Sequence, residues 1–363
     1  MKRSLILLTA LALATVGLSA CGGSSAPTTP TDSARARAER SAGDEDDEGE
    51  RRDDDEEEDE EDEGGDEFPL DTAQALPGTG VSMRPPRGSE AMELGSGFLH
   101  QRRRIQIIVA VTEGDDELLT RFREGLAANA EEVDTEEVAI GGHTAQLTID
   151  RQDQDGLEIE RAWVFVRQGQ RALAIMGAYQ AERAERVRGL VRASVLSASW
   201  DPSALLDPES ALGYRVAPIE GLSIDRSTSQ ALTYTMPGHI ADPGSGEPAL
   251  YVLPLPVDIP MAQRDELCQP ILAQVGPVPE DRATSHGEIE TDTLEGCELI
   301  GTQTPPEGAT DASGGTPRTL ATYAALVYHA DATLLVAGVV DASQSDPWIE
   351  RFRAAARTVA SVR

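Results

Sequence analysis

Lysine is nearly missing from this sequence: Lys2 is the only one among 363 residues, and the other 30 basic side chains are arginines. Cysteines number three and histidines five, and aromatic residues make up only 4%. Each scarcity excludes something. The histidines, His100, His143, His239, His286 and His329, contain no His-x-x-x-His pair, so a zincin-type metal site has no support. No P-loop and no Gly-x-Ser-x-Gly elbow occurs. Asp153-Gln154-Asp155-Gly156 is no calcium loop, because aligning on its glycine puts Arg151 and Ala162 where the terminal carboxylates belong; a hairpin turn explains it. No catalytic residues, no metal and no cofactor are assigned. Net charge is -33, which repels phosphate backbones and excludes nucleic acid as a default partner.

That charge is unevenly spread. Between Asp44 and Glu67 stand 19 acids against Arg51 and Arg52, over half of the net charge in 24 positions. Such a run cannot bury enough apolar surface to offset chain ordering, so residues 21–67 read as a disordered acidic linker. It serves as a spacer, with a cation sponge or a docking segment for a basic partner as alternatives.

Residues 1–20 read as a targeting signal. Met1-Lys2-Arg3 is a short positive start, and Leu5 to Leu18 is apolar except for Thr9, Thr15 and Gly17. Fourteen helical residues span about 21 Å, short of the ~30 Å hydrocarbon core, which disfavours a permanent span. Leu18-Ser19-Ala20-Cys21 resembles the lipobox of bacterial lipoproteins. The resemblance implies cleavage before Cys21 and acylation of that residue, palmitate included, with several chains giving a stable anchor. The alternative is an ordinary secretory signal cut after Ala20. Gly22 and Gly23, rather than Asp, follow the cysteine; in a two-membrane cell that resembles the outer-membrane class.

From about Leu70 the pattern is α+β. Gly80 to Arg84, Ala91 to His100 and the β-branched run Ile105 to Val111 read as strands. Asp115-Asp116 cap a helix over Glu117 to Ala130. Val138 to Ile149, Leu157 to Arg167 and Arg171 to Tyr179 read as strands, and a helix closes the set from Ala181 to Ser197. The second half repeats this order, with strands over Ala249 to Leu255, Thr319 to His329 and Thr333 to Val340. Its first helix runs near Ala262 to Gln274, where Pro270 is expected to kink or end it, and its last carries Trp348, Ile349 and Phe352. Leu294 to Leu299 stands where Ile140 to Ala145 stood, and Thr302 to Pro317 reads as an exposed loop. Two domains follow, 68–200 and 201–363. Trp163, Trp200 and Trp348 are expected in the core.

Leu76-Pro77-Gly78-Thr79-Gly80-Val81-Ser82-Met83-Arg84-Pro85-Pro86-Arg87-Gly88, followed by Gly97-Phe98, resembles the opening of PsbP-like proteins, a group with DcrB-like and LpqN-like lipoproteins. Val138 to Gly142 and Gly177-Ala178-Tyr179 match it as well, while Ser89 departs from its usual aromatic. The resemblance implies tandem α/β/α-layered domains, each an antiparallel sheet flanked by helices, in a non-enzymatic binding or assembly role.

Cys268, on the long helix of the second domain, and Cys297, read as opening a central strand beneath it, form an even pair once Cys21 is acylated, and export to an oxidising compartment predicts a disulfide between them. Closing this loop contributes about 3.6 kcal/mol in the chain-entropy model; two buried free thiols are the alternative. Arg102-Arg103-Arg104 reads as a solvated strand entry or as a site for anionic headgroups or glycans. The function taken forward is a membrane-anchored envelope lipoprotein binding an envelope protein or glycolipid; the alternatives are a carrier for a small lipid or sugar and an unrecognised hydrolase. Globomycin is expected to accumulate the precursor, and Cys21→Ser to prevent maturation. Mature, membrane-bound protein from the Cys21→Ser gene would show the anchor assignment to be wrong.

Overall fold

The computed structural model describes residues 69–362 except 129, 155, 240–244, 256–258, 260, 279–281, 292, 304–317 and 330–331. The signal, Cys21, the acidic linker and most of the Thr302 to Pro317 loop therefore lie outside the described residues.

In the first half, β1 (Gln74–Leu76) and β2 (Val81–Met83) form a small sheet with β10 (Ser199–Trp200). The main sheet comprises β3 (Glu90–Ala91), β4 (Gly97–His100), β5 (Ile105–Glu113), β6 (Glu131–Ile140), β7 (His143–Gln154), β8 (Leu157–Gln168) and β9 (Arg171–Gln180). Its order is β3-β4-β5-β9-β8-β7-β6, antiparallel throughout. Helices α1 (Asp116–Ala127) and α2 (Ala184–Leu196) cover opposite faces. Asp115 caps α1 by accepting from the Leu118 N–H at 2.9 Å.

The second half builds the same layers. Its sheet runs β12 (Ser223–Asp225), β13 (Leu232–Thr235), β14 (Ala249–Leu255), β18 (Ala332–Asp341), β17 (Leu320–His329), β16 (Glu295–Gln303) and β15 (Ala283–Glu290). Helices α4 (Arg264–Val275) and α5 (Ser345–Ala356) lie on its two faces. The short α3 (Pro208–Leu212) and the pair β11 (Tyr214–Arg215) and β19 (Ala360–Ser361) complete the fold. The architecture is α+β, with two antiparallel sheets each flanked by helices.

Four features differ from the sequence reading, the first being that Ala91 to His100 is two antiparallel strands, β3 and β4, paired with each other. The stretch Val138 to Ile149 is two strands, not one, because Gly141 and Gly142 have φ of 56° and 86° and turn the chain in a tight hairpin. Helix α4 passes through Pro270 and ends at Val275. The proline forfeits one backbone bond there, while Cys268 and Leu272 bury the same helix face against the sheet. Cys297 lies in the penultimate strand, not a central one. Trp163 and Trp200 are buried as expected; Trp348 is half-buried, with the Arg351 guanidinium 4.6 Å over its ring.

The halves interlock. Strand β4 leaves the far end of β5 unpaired, and residues 227–230 of the second half take that edge. Ser229 N–H donates to Val111 O at 2.9 Å, Val111 N–H donates to Ser229 Oγ at 3.0 Å, and Glu113 N–H donates to Ser227 O at 2.6 Å. The Pro77 to Gly80 turn also works between halves, since Asp207 N–H donates to Gly78 O at 2.9 Å and a Cβ on Gly78 would strike Asp207 O.

Beneath α2, the carboxylate of Glu160 is fully buried and saturated with donors. Arg188 binds it through two nitrogens at 2.6 and 2.7 Å, Tyr179 Oη donates at 2.7 Å and Arg151 Nε at 3.0 Å. Burial alone would raise its pKa; the donors Arg188, Tyr179 and Arg151 outweigh burial and hold it below the ordinary carboxylate value. A lowered folded pKa contributes stability above the ordinary range near pH 4.3, lost as pH falls through the folded value. Glu160→Gln is therefore expected to cost about 1.5–3 kcal/mol at pH 7, a deficit that shrinks as pH drops towards 2. Urea unfolding at both pH values measures this, and a constant deficit would contradict it.

Candidate functional site

Helix α1 stands away from strands β6 and β7, and the space beneath it is a groove of about 810 Å³. Thr120, Arg123, Glu124 and Ala127 of α1 form one wall, and Trp163 and Phe165 of β8 form an aromatic floor with Leu119. Thr144 and Gln146 of β7 and Glu137 of β6 form the opposite wall, and Arg167 closes one end. Leu119 and Trp163 are buried, whereas Thr120, Arg123, Thr144 and Gln146 are exposed. The groove thus joins an apolar base to a rim carrying both charges.

A buried ion pair reaches the last turn of α1. Asp150 and Arg161 face each other across β7 and β8 and are 2% and 1% exposed. Arg161 donates to both Asp150 oxygens, at 2.7 and 2.8 Å, and its Nη2 also donates to Leu126 O at 2.9 Å. The guanidinium thereby satisfies a carbonyl in the last turn of α1, one that has no partner within its own helix. Trp163 Nε1 donates to Asp150 at 2.7 Å, which fixes the indole that floors the groove. At the other end, Arg167 pairs with Asp116 in the first turn of α1.

The second half shows the same place closed. Gln146 pairs with Phe165, and Phe165 with Ala174; Cys297 pairs with Leu326, and Leu326 with Leu335. Ladder register therefore equates Cys297 with Gln146, not with His143 as linear alignment implied. Thr120 is the fifth residue of α1, and Cys268 is the fifth of α4. Thr120 and Gln146 both line the groove; Cys268 and Cys297 are joined as a disulfide, with Cα atoms 6.0 Å apart. In one half these positions face each other across open space, and in the other a covalent bond holds helix to sheet.

No histidine lines the groove. His239 pairs with Glu247 at 2.7 Å on an exposed segment of the second half. Among the described residues no group of three or more His, Cys, Asp or Glu could hold a metal ion, and no helix is long and apolar enough to cross a membrane. Cys21 lies outside the described residues. Sequence reasoning placed Trp163 in the core without seeing the groove around it. The available signal was the alternation Arg161, Trp163, Phe165, Arg167, which puts bulky and charged side chains on one face of β8.

The structure is similar to cyanobacterial PsbP (CyanoP) from Synechocystis, at 13% identity over 38% of this chain and 96% of that one, with a TM-score of 0.29. LpqN of Mycobacterium tuberculosis, described as involved in cell envelope biogenesis, matches at 13% identity over 34% and 83%, with a TM-score of 0.28. The type VI secretion immunity protein TplEi of Pseudomonas aeruginosa matches at 12% identity over 80% and 97%, with a TM-score of 0.29. No family model matches this chain, and no curated protein does. Likeness at this level bears on neither ligand nor activity.

Asp150→Ala leaves the Arg161 guanidinium buried without its counter-charge and is expected to cost about 3–5 kcal/mol. The apolar pair Asp150→Leu with Arg161→Met is expected to recover most of that loss. Chemical denaturation checks both, and equal destabilisation by single and double variants would contradict the role given to the charge.

Proposed function

We propose that this chain is an envelope lipoprotein, anchored through Cys21, whose first half is a non-enzymatic module binding a partner protein in the groove beneath α1. The observation that carries the reading is the contrast between halves. One fold occurs twice, and the copy whose helix and sheet lack the disulfide has a groove beneath that helix, with Thr120 and Gln146 where the other has cysteines. The second half is then the buttress: it supplies residues 227–230 to the edge of β5 and holds its own helix down. The mixed rim of Arg123, Glu124 and Glu137 favours a polypeptide, with alternating apolar and polar groups, over the small lipid carrier reading, which needs an enclosed apolar cavity.

A photoreactive residue at Ala127, on the wall of the groove, tests this in intact envelopes. A discrete crosslinked protein is expected. Gln146→Trp, which fills the groove with an indole, should reduce the adduct at least tenfold, while Gln146→Ala retains it. An adduct equally strong in the Gln146→Trp protein would remove the groove from the binding site.

A further inference from the structure

The groove does not account for a second feature of the first half, the arginines at the turn between β4 and β5. Arg102, Arg103 and Arg104 follow His100 directly, and Arg87 and Arg183 approach the same tip from other segments. The Arg183 guanidinium donates to Arg102 O at 3.4 Å, and Gly88, next to Arg87, has His100 Nε2 3.8 Å from where its Cβ would stand. Arg103 N–H donates to His100 Nδ1 at 3.3 Å, which ties the turn to the strand. Arg104 adopts φ of 53°, a left-handed conformation unusual for a side chain of its size, and is held by Gln180 at 3.3 Å.

Arg87 and Arg102 are exposed and Arg103 is half-buried. Among the described residues these guanidiniums have no ion-pair partner, although most other arginines of the half have one. Asp71 receives the Gly88 N–H rather than a guanidinium, and neither Glu90, opposite Leu99, nor Glu182, beside Arg183, forms an ion pair among the described residues. His100 does not add to the charge: burial, then the fields of Arg103 and Arg102, hold its pKa below the ordinary value. The tip is therefore a cluster of permanent, unneutralised cations on a protein of net charge -33. Screening over about 8 Å at physiological salt makes the local sign, not the total, govern close contact.

The tip also lies where the chain enters from its N-terminal segment. Arg87 N–H donates to Pro69 O at 2.9 Å, and Leu70 pairs with Pro86. We propose that Arg87, Arg102, Arg103 and Arg183 bind the phosphate groups of an anionic lipid surface and seat the first half on the membrane. Guanidinium groups suit this because each presents a planar fork to phosphate oxygens and keeps its charge at any physiological pH. With the tip on the bilayer, the groove beneath α1 has a fixed side towards the membrane. The proposal is separate from groove binding and needs the N-terminal anchor only to bring the tip near the surface.

The test uses the full chain reconstituted in vesicles and carrying Gln101→Cys with an environment-sensitive fluorophore; Gln101 is exposed beside the arginines. Vesicles of phosphatidylcholine with 30% phosphatidylglycerol are expected to shift the emission to the blue, and pure phosphatidylcholine is not. The shift should vanish at high salt, and each of Arg102→Gln and Arg103→Gln should lower the docked-to-undocked ratio about fivefold. Flotation of the same samples reads the anchor independently. Equal shifts in both lipids would overturn the proposal. So would a salt-sensitive shift without vesicles, which would mark an anionic occupant carried by the protein itself.

Discussion

Two adjacent cross-strand pairs on β7 and β8 hold this structure in register. Asp150 faces Arg161, and one step along Arg151 faces Glu160. Because side chains alternate, the first pair points towards α1 and the second towards α2. Slipping the hairpin by one residue would carry each charge to the opposite face and leave both helices without their polar partner. Hydrophobic pattern alone cannot enforce this, since β8 is nearly all buried from Ile159 to Val164 and offers apolar residues to either side. Charges are costly to bury, and that cost makes the wrong register unfavourable.

The second half keeps the framework and changes the fastening. Gly177 and Gly338 occupy the same place in β9 and β18, and a Cβ on either would strike the closing helix, at Val191 in one half and Phe352 in the other. Close helix approach is thus common to both. Polar anchors are not: Glu298 takes Arg353 and Tyr323 from a different strand position. On the other face, the work of Asp150 and Arg161 passes to Cys268 and Cys297. An ion pair constrains the folded state through geometry, whereas a crosslink also restricts the unfolded chain, so the half with the disulfide is suited to act as the support.

Periodicity and punctuation made most elements readable. Asp115 announced the start of α1, Asp155-Gly156 the hairpin, and Ile105 to Val111 the buried strand. Strand β6 was not readable beyond Val138, because Glu131, Glu132, Asp134, Glu136 and Glu137 give an edge strand no apolar alternation. The same logic explains the groove. Its residues look like ordinary helix surface and strand surface, and only the distance between α1 and the sheet makes them a site. That distance is a tertiary quantity, set by Arg161 reaching Leu126, which no local window contains.

An open groove beside a well-packed core needs something to prevent collapse, since Phe165 on its floor is only half-buried and would gain by being covered. Arg161 holds the C-terminal turn of α1 at a height fixed by a buried guanidinium, and Arg167 ties the first turn through Asp116. Phe122 and Leu126 already pack one side of the helix onto the sheet, so closing its other side over Thr144 and Gln146 would roll the helix against these two contacts. In the second half Gln269 of α4 reaches Gly287 O and Glu298 O and Arg264 pairs with Glu295, while the disulfide draws Cys268, with Leu272, directly onto the sheet. The spacing beneath α1 is therefore maintained by polar interactions on either side of an apolar floor, a preformed site whose occupant need not supply the energy to open it.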